Sequence, residues 1–268
     1  MIQINERLSE FSFGYGVVEE TRRLLQLVGW NAVPFLPSLL HENEIGFDVA
    51  FHEPGAVLML QFKLGEELRR FHRSRPNQPI PALARPFWRF QVHTGEQQFL
   101  RLWSSEVLGA LVYYVAPRFA NWSAYERYFL NGVILDNSLL ITPAAIRQAA
   151  PGPAAKHRVL YDAARNYVCS EPIETPDIRS KDLVARIAER LARGEAPLAH
   201  TIKGLSEKLR EPRRRLRRPL PRHVDLLRGR ARTPVEEDAA VVALEAWMQG
   251  TQLVFVGSSP SGEGGARG

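Results

Sequence analysis

Asp48, Gln61 and Lys63 are the side chains of this 268-residue sequence whose types and spacing best suit phosphoryl chemistry. They belong to Gly46-Phe47-Asp48-Val49-Ala50-Phe51 and Ala56-Val57-Leu58-Met59-Leu60-Gln61-Phe62-Lys63, two apolar arms either side of His52-Glu53-Pro54-Gly55. Such arms around a Pro-Gly signal predict a β-hairpin. A two-residue loop at Pro54 and Gly55 sets Glu53 against Ala56 and Asp48 against Gln61, and directly opposed residues share a face. Lys63 shares it too, because strand side chains alternate with period 2. A four-residue loop would move Met59 opposite Asp48 and keep the parity. A carboxylate and an amide carbonyl are hard oxygen donors of the kind magnesium takes while keeping several waters. An ammonium beside them would orient an attacking water or offset charge on phosphate oxygens. The same pattern also describes an amphipathic hairpin whose polar face meets water.

A helix upstream offers another acid. After Phe13-Gly14-Tyr15-Gly16, the run Val17 to Val28 has Val17, Thr21, Leu24 and Val28 at the spacing of one buried stripe. Glu20 lies three residues after Val17 and four before Leu24, so it falls on that inward stripe, whereas Glu19 faces away with Arg22 and Arg23. Burying an acid is costly unless it meets a cation, a metal or hydrogen-bond donors. Glu20 is therefore the better candidate for a site and Glu19 a solvated surface charge.

A helix with an inward Glu, an Asp on one strand and a polar-x-Lys on the next resembles the PD-(D/E)xK nuclease superfamily over about the first quarter of the sequence. The resemblance implies that Glu20, Asp48 and Gln61 hold Mg2+ or Mn2+ and that Lys63 assists hydrolysis of a phosphodiester. Gln61 stands where most members carry Asp or Glu, as in the Mrr-like branch of restriction endonucleases. That exchange removes one negative charge, and both an active enzyme and a binding-only relative stay open. The fold so implied is α/β, a restriction-endonuclease-like core of mixed central sheet flanked by helices, with a helical C-terminal extension. Bacterial defence or DNA processing is the role implied.

Composition agrees with this reading without requiring it. A hydrophobic content of 45% is ample for a core, and Cys169 is the single cysteine, so no internal disulfide can form. No apolar run reaches the length of a bilayer span, and Glu6, Arg7 and Glu10 interrupt any secretion signal. A cytoplasmic protein without a membrane partner is expected. The net charge of +6 is uneven: residues 208–232 hold 11 Lys and Arg against 2 acids, or +9, which leaves −3 elsewhere. Arg213, Arg214, Arg215, Arg217 and Arg218 in that segment suit phosphate neutralisation and salt-sensitive nucleic-acid contact. An exposed linker broken by Pro212, Pro219 and Pro221 has the same composition. The expected partners are nucleic acid, DNA first, and a second copy of the chain in a homodimer.

The expected organisation is an α/β domain over 1–172, a mainly helical basic extension over 173–256 and a disordered tail over 257–268. Within it, Glu66 to Arg75 reads as a charged helix, Phe87 to Val92 as a strand, Gln97 to Val107 as a helix and Leu111 to Ala116 as a buried strand. A helix over 121–131 carries Trp122, Tyr125 and Phe129, a stripe better suited to a core than to stacking bases. Short strands are expected near 133–135, 139–142 and 157–161, and Cys169 as a buried structural thiol. Ser180 caps a helix that Gly194 ends, and Leu198, Ile202, Leu205 and Leu209 mark another that stops before Pro212. Thr233-Pro234-Val235-Glu236 is a strong helix start, with a short strand at 253–256. Two rival readings stand beside the nuclease: an inactive nuclease-fold protein that binds nucleic acid or a protein partner, and an unrelated protein whose hairpin polarity is incidental.

Overall fold

The computed structural model describes residues 8–35, 51–73, 76, 78–169, 172–194, 197–215, 231 and 233–258, with the backbone alone at 35 and 211–215. The chain is α/β, with mixed sheet flanked by helices. It divides into two compact units that interleave along the sequence: Met1–Thr21, Leu60–Glu106 and Val112–Leu183 form one, and Arg22–Met59, Val107–Leu111 and Val184–Gly268 the other. This differs from the linear division at residue 172, because the segments that pack together are far apart in sequence.

The first unit opens with α1 (Glu10–Leu27), whose last turns run into the second unit. The helix begins a full two turns earlier than Val17 because its glycines are needed for packing. A Cβ on Gly14 would lie 2.7 Å from the Phe62 ring, and one on Gly16 would lie 2.5 Å from Ile134. Phe13 packs edge-on against Phe62 and Phe119, with ring centroids 5.8 and 6.1 Å apart.

Five antiparallel strands form a sheet wholly within this unit: β3 (Glu66–Leu68), β4 (Phe87–His93), β7 (Lys156–Tyr161), β8 (Asn166–Cys169) and β9 (Pro172–Thr175), in the order β3-β4-β7-β8-β9. The expected helix from Glu66 is thus replaced by an edge strand, in which Glu66 pairs across the ladder with Arg89. The same unit holds all but the last residue of α2 (Gln97–Val107), all but the first of β5 (Leu111–Pro117), and α3 (Trp122–Asn131), β6 (Ser138–Ile141) and α4 (Pro143–Ala149). Asn121 caps α3 and Gly132 ends it in a left-handed conformation with φ 62°. The expected strand at 133–135 is replaced by a turn over 134–137. Buried Arg118 joins the elements: its guanidinium donates to the carbonyls of Asp162 and Ser138, to Asn166 Oδ1 and to Asp177. Such a charge is tolerable in the interior because its donors are met.

The second unit holds β1 (Asn31–Phe35), β10 (Thr251–Gly257) and the first part of β2 (Gly55–Phe62). β1 pairs antiparallel with β10, which in turn neighbours β2. The C-terminal segment therefore supplies an interior strand and is more than an appended extension. Helix α6 (Leu198–Arg215) continues through Pro212, and α7 (Pro234–Trp247) starts on a complete capping box between Thr233 and Glu236. Every residue of α7 from Ala239 to Ala246 is buried, the pattern of a helix enclosed on all sides. The helix α5 (Ser180–Arg193) crosses from the first unit into the second.

Candidate functional site

Strand β2 is where the expected site begins, and its environment differs from an exposed hairpin. Its neighbours are β10 and β5, and all of its residues after Gly55 are buried. Gly55 is the first residue of the strand, not half of a turn. Pro54 forms a bridge to Pro197, and the carbonyls of Phe51 and Glu53 accept from the N–H groups of Ala199 and Leu198 at 2.9 and 3.0 Å. Glycine is required at 55 for close approach, since a Cβ there would meet Leu198 and the Val256 carbonyl at 2.8 Å. The pairing of Glu53 with Ala56 is thus replaced by pairing with the start of α6. Asp48 lies outside the described residues, so the facing of Asp48 and Gln61 loses its hairpin warrant and gains no other.

Gln61 and Lys63 do come together, through a residue that the sequence reading did not single out. Gln61 is 3% exposed, and a buried amide in a strand is costly unless it is hydrogen-bonded. Gln98, in the first turn of α2, donates from Nε2 to Gln61 Oε1 at 3.2 Å. Gln98 Oε1 in turn accepts from Lys63 Nζ at 3.5 Å. One amide side chain therefore couples the buried strand residue to the half-buried ammonium. The signal for Gln98 was present in the sequence: with Leu102 and Ser105 it stands at i, i+4 and i+7 on the inward face of α2. Immediately beyond Lys63, Gly65 passes so close to Tyr161 that a Cβ would lie 2.1 Å from its hydroxyl.

Lys63 and Gln98 line a recess with Gln91, His93, Glu96 and Tyr114, of about 30 Å³. That is room for roughly one or two waters. His93 accepts at Nδ1 from the Gly95 N–H. Burial, and secondarily the Glu96 carboxylate, raise the Tyr114 phenol far above its ordinary value, so it stays a protonated hydroxyl. The recess thus combines an ammonium, a carboxylate, an imidazole and neutral hydrogen-bonding groups.

Glu20 is buried on the inward face of α1, and the structure gives it a backbone task. Its Oε2 accepts from the N–H groups of Ile134 and Leu135 at 2.6 and 3.1 Å. These bonds hold residues 134–137 as a turn where a strand was expected. Among the described residues no three His, Cys, Asp or Glu side chains converge as a metal site would require. By chemical type the Gln61 carbonyl and the Asp48 carboxylate are oxygen donors of the kind a hard cation takes.

Arg213, Arg214 and Arg215 lie in the last turn of α6 with only their backbone described, and Arg217 and Arg218 lie outside the described residues, as does the segment 259–268 of the expected tail. Among the described residues no helix is long and apolar enough to cross a membrane. Comparison with protein-family models, with the curated proteins and with the solved structures found no match to this chain.

Proposed function

We propose that this chain is a restriction-endonuclease-like hydrolase of nucleic-acid phosphodiesters, with Lys63 as the cation that meets the scissile phosphate. The observation that carries this reading is the Gln61–Gln98–Lys63 network, which fixes an ammonium at the end of an interior strand beside a water-sized recess. Space for water next to a held positive charge is what phosphoryl hydrolysis needs, since negative charge builds on the phosphate oxygens as water adds. Magnesium or manganese, held by Asp48 and the Gln61 carbonyl, would supply Lewis acidity and a more acidic bound water. Gln98 keeps Lys63 aimed, and buried Gln61 keeps Gln98 in place. Glu20 acts through the 134–137 turn and is not needed as a ligand. DNA is the proposed substrate, approached by the basic segment 208–232, with a homodimer as the assembly and bacterial defence or DNA processing as the role.

One observation favours a second reading: Gln61 is uncharged and the Glu20 carboxylate is engaged by backbone donors, which leaves little negative charge for a cation. On that reading the chain binds DNA without cutting it. Plasmid and single-stranded DNA incubated with magnesium, manganese or chelator separates the two. The active reading expects metal-dependent cleavage that falls at least a hundredfold in Lys63→Ala, within the usual range for loss of a group that stabilises transition-state charge. Salt-sensitive binding with no cleavage by the native chain would establish the binding-only reading. Cleavage unchanged by Lys63→Ala would remove Lys63 from either.

A further inference from the structure

A groove of about 660 Å³ lies within the second unit, lined by His52, by Pro197, Ala199, His200 and Lys203 at the start of α6, and by Pro234, Val235 and Asp238 at the start of α7. Its size is that of small-molecule sites. The walls divide by chemistry. Two proline rings, Ala199 and Val235 supply apolar lining with no side chain that hydrogen-bonds. His200 and Lys203 stand three residues apart on α6 and so share a face, with His52 contributing a second imidazole.

The charges are unevenly satisfied. Asp238, the acid at the groove, accepts from Ser206 Oγ at 2.6 Å and from Arg210 at 3.1 Å, and Glu237 pairs with Arg210 at 3.7 Å. The acids on this side are thus already matched from α6. His52, His200 and Lys203 are exposed and their side chains make no hydrogen bond or ion pair with the described residues. The N-terminus of α7 is not the attraction, because its capping box takes up the Glu236 N–H and places two glutamates in the first turn. What the groove offers is an exposed ammonium and two imidazoles beside the apolar side chains of Pro197, Ala199, Pro234 and Val235. A ligand that complements both has an anionic head and a planar ring able to stack on proline and imidazole.

We infer that this groove binds a nucleoside monophosphate, its phosphate at Lys203, His200 and His52 and its base against Pro197, Pro234 and Val235. The same chemistry is presented by a free nucleotide and by the phosphorylated terminal nucleotide of a strand. The site is independent of cleavage at Lys63.

Calorimetric titration of the full-length chain, at low salt with chelator, uses adenosine monophosphate, adenosine, inorganic phosphate and a trinucleotide with or without a 5′-phosphate. The expected result is saturable binding of adenosine monophosphate, at least tenfold tighter than adenosine or phosphate alone. Lys203→Glu, which reverses the charge there, and Val235→Trp, which crowds the apolar lining, should each weaken it at least tenfold while their thermal midpoints stay near that of the native chain. Lys63→Ala should bind as the native chain does. A phosphorylated trinucleotide that outcompetes the free nucleotide identifies a strand end as the source, and equal affinity identifies the free nucleotide. The inference is overturned if adenosine monophosphate does not bind, if Lys203→Glu and Val235→Trp bind it normally, or if binding disappears in Lys63→Ala. Absence of nuclease activity leaves all of these readings intact, so the two proposals fail separately.

Discussion

Glu20 shows how spacing can place a single residue well without reporting the partners it meets. Its inward position follows from the 3.6-residue period of α1, which acts over a few residues. Its partners, the N–H groups of Ile134 and Leu135, lie more than a hundred positions away, and no local pattern reports them. Glu20→Ala would leave two buried donors unmet, at about 1–3 kcal/mol each. Urea unfolding in magnesium-free buffer should show that loss, and Glu20→Gln, which keeps an acceptor, should show less. Unchanged stability without metal would argue instead for a ligand whose value appears only when magnesium is bound. Cys169 behaves as expected of a buried structural thiol: burial pushes it from its ordinary 9.0 up to about 11. Burial also raises the Tyr114 and Tyr161 phenols. Below pH 9 both native and unfolded chains keep the thiol proton, so it contributes no pH dependence. Between pH 9 and about 11 the unfolded chain releases a proton that the native chain holds, so stability falls as pH rises. Urea midpoints at pH 8 and pH 10.5 test this, and Cys169→Ser should flatten the slope.

At the scale of elements, the sequence was readable where the signals are local. Helix α2 occupies the expected Gln97–Val107, α3 fills the expected 121–131 but for its first residue, and Thr233 and Glu236 cap α7 reciprocally. Each rests on periodicity or on capping atoms three residues apart. The misreadings have non-local causes. Glu66 to Leu68 has helical composition, yet pairing with β4 makes it a strand. Pro54-Gly55 has turn composition, yet Gly55 is there to admit Leu198 and the Val256 carbonyl. Gly14 and Gly16 disguised the first turns of α1 for the same reason. Helix α7 offers a clean measure of a local signal inside a buried setting. Thr233→Ala removes the acceptor for the Glu236 N–H and should lower stability by about 1 kcal/mol. Thermal unfolding monitored by circular dichroism would detect it. No measurable shift would mean that packing around Ala239 to Ala246 holds the helix start without its cap.

For the whole molecule, the decisive feature is that compact units and sequence order do not coincide. Binary pattern identifies strands but does not allocate them to sheets, so one mixed core was expected where the described residues form two five-stranded sheets. The expected boundary at residue 172 separates β1 from β10, its antiparallel partner from Asn31↔Gly257 to Phe35↔Leu253. It also removes β10 from the side of β2, the strand that carries Gln61. A strand deprived of its neighbour leaves backbone donors and acceptors unmatched along its length, and a buried one also loses its packing. A fragment of residues 1–172 should therefore lack protection of the β1 and β2 amides against hydrogen exchange and should unfold without the sharp transition of the full chain. Cooperative unfolding of that fragment at the native midpoint would show that the C-terminal third is a detachable extension after all. The candidate site inherits this dependence. Gln61 is held in β2, Gln98 is held by Gln61, and Lys63 is aimed by Gln98. Loosening β2 by removing β10 should therefore abolish the activity proposed at Lys63 even though residues 173–268 include none of Gln61, Lys63 and Gln98.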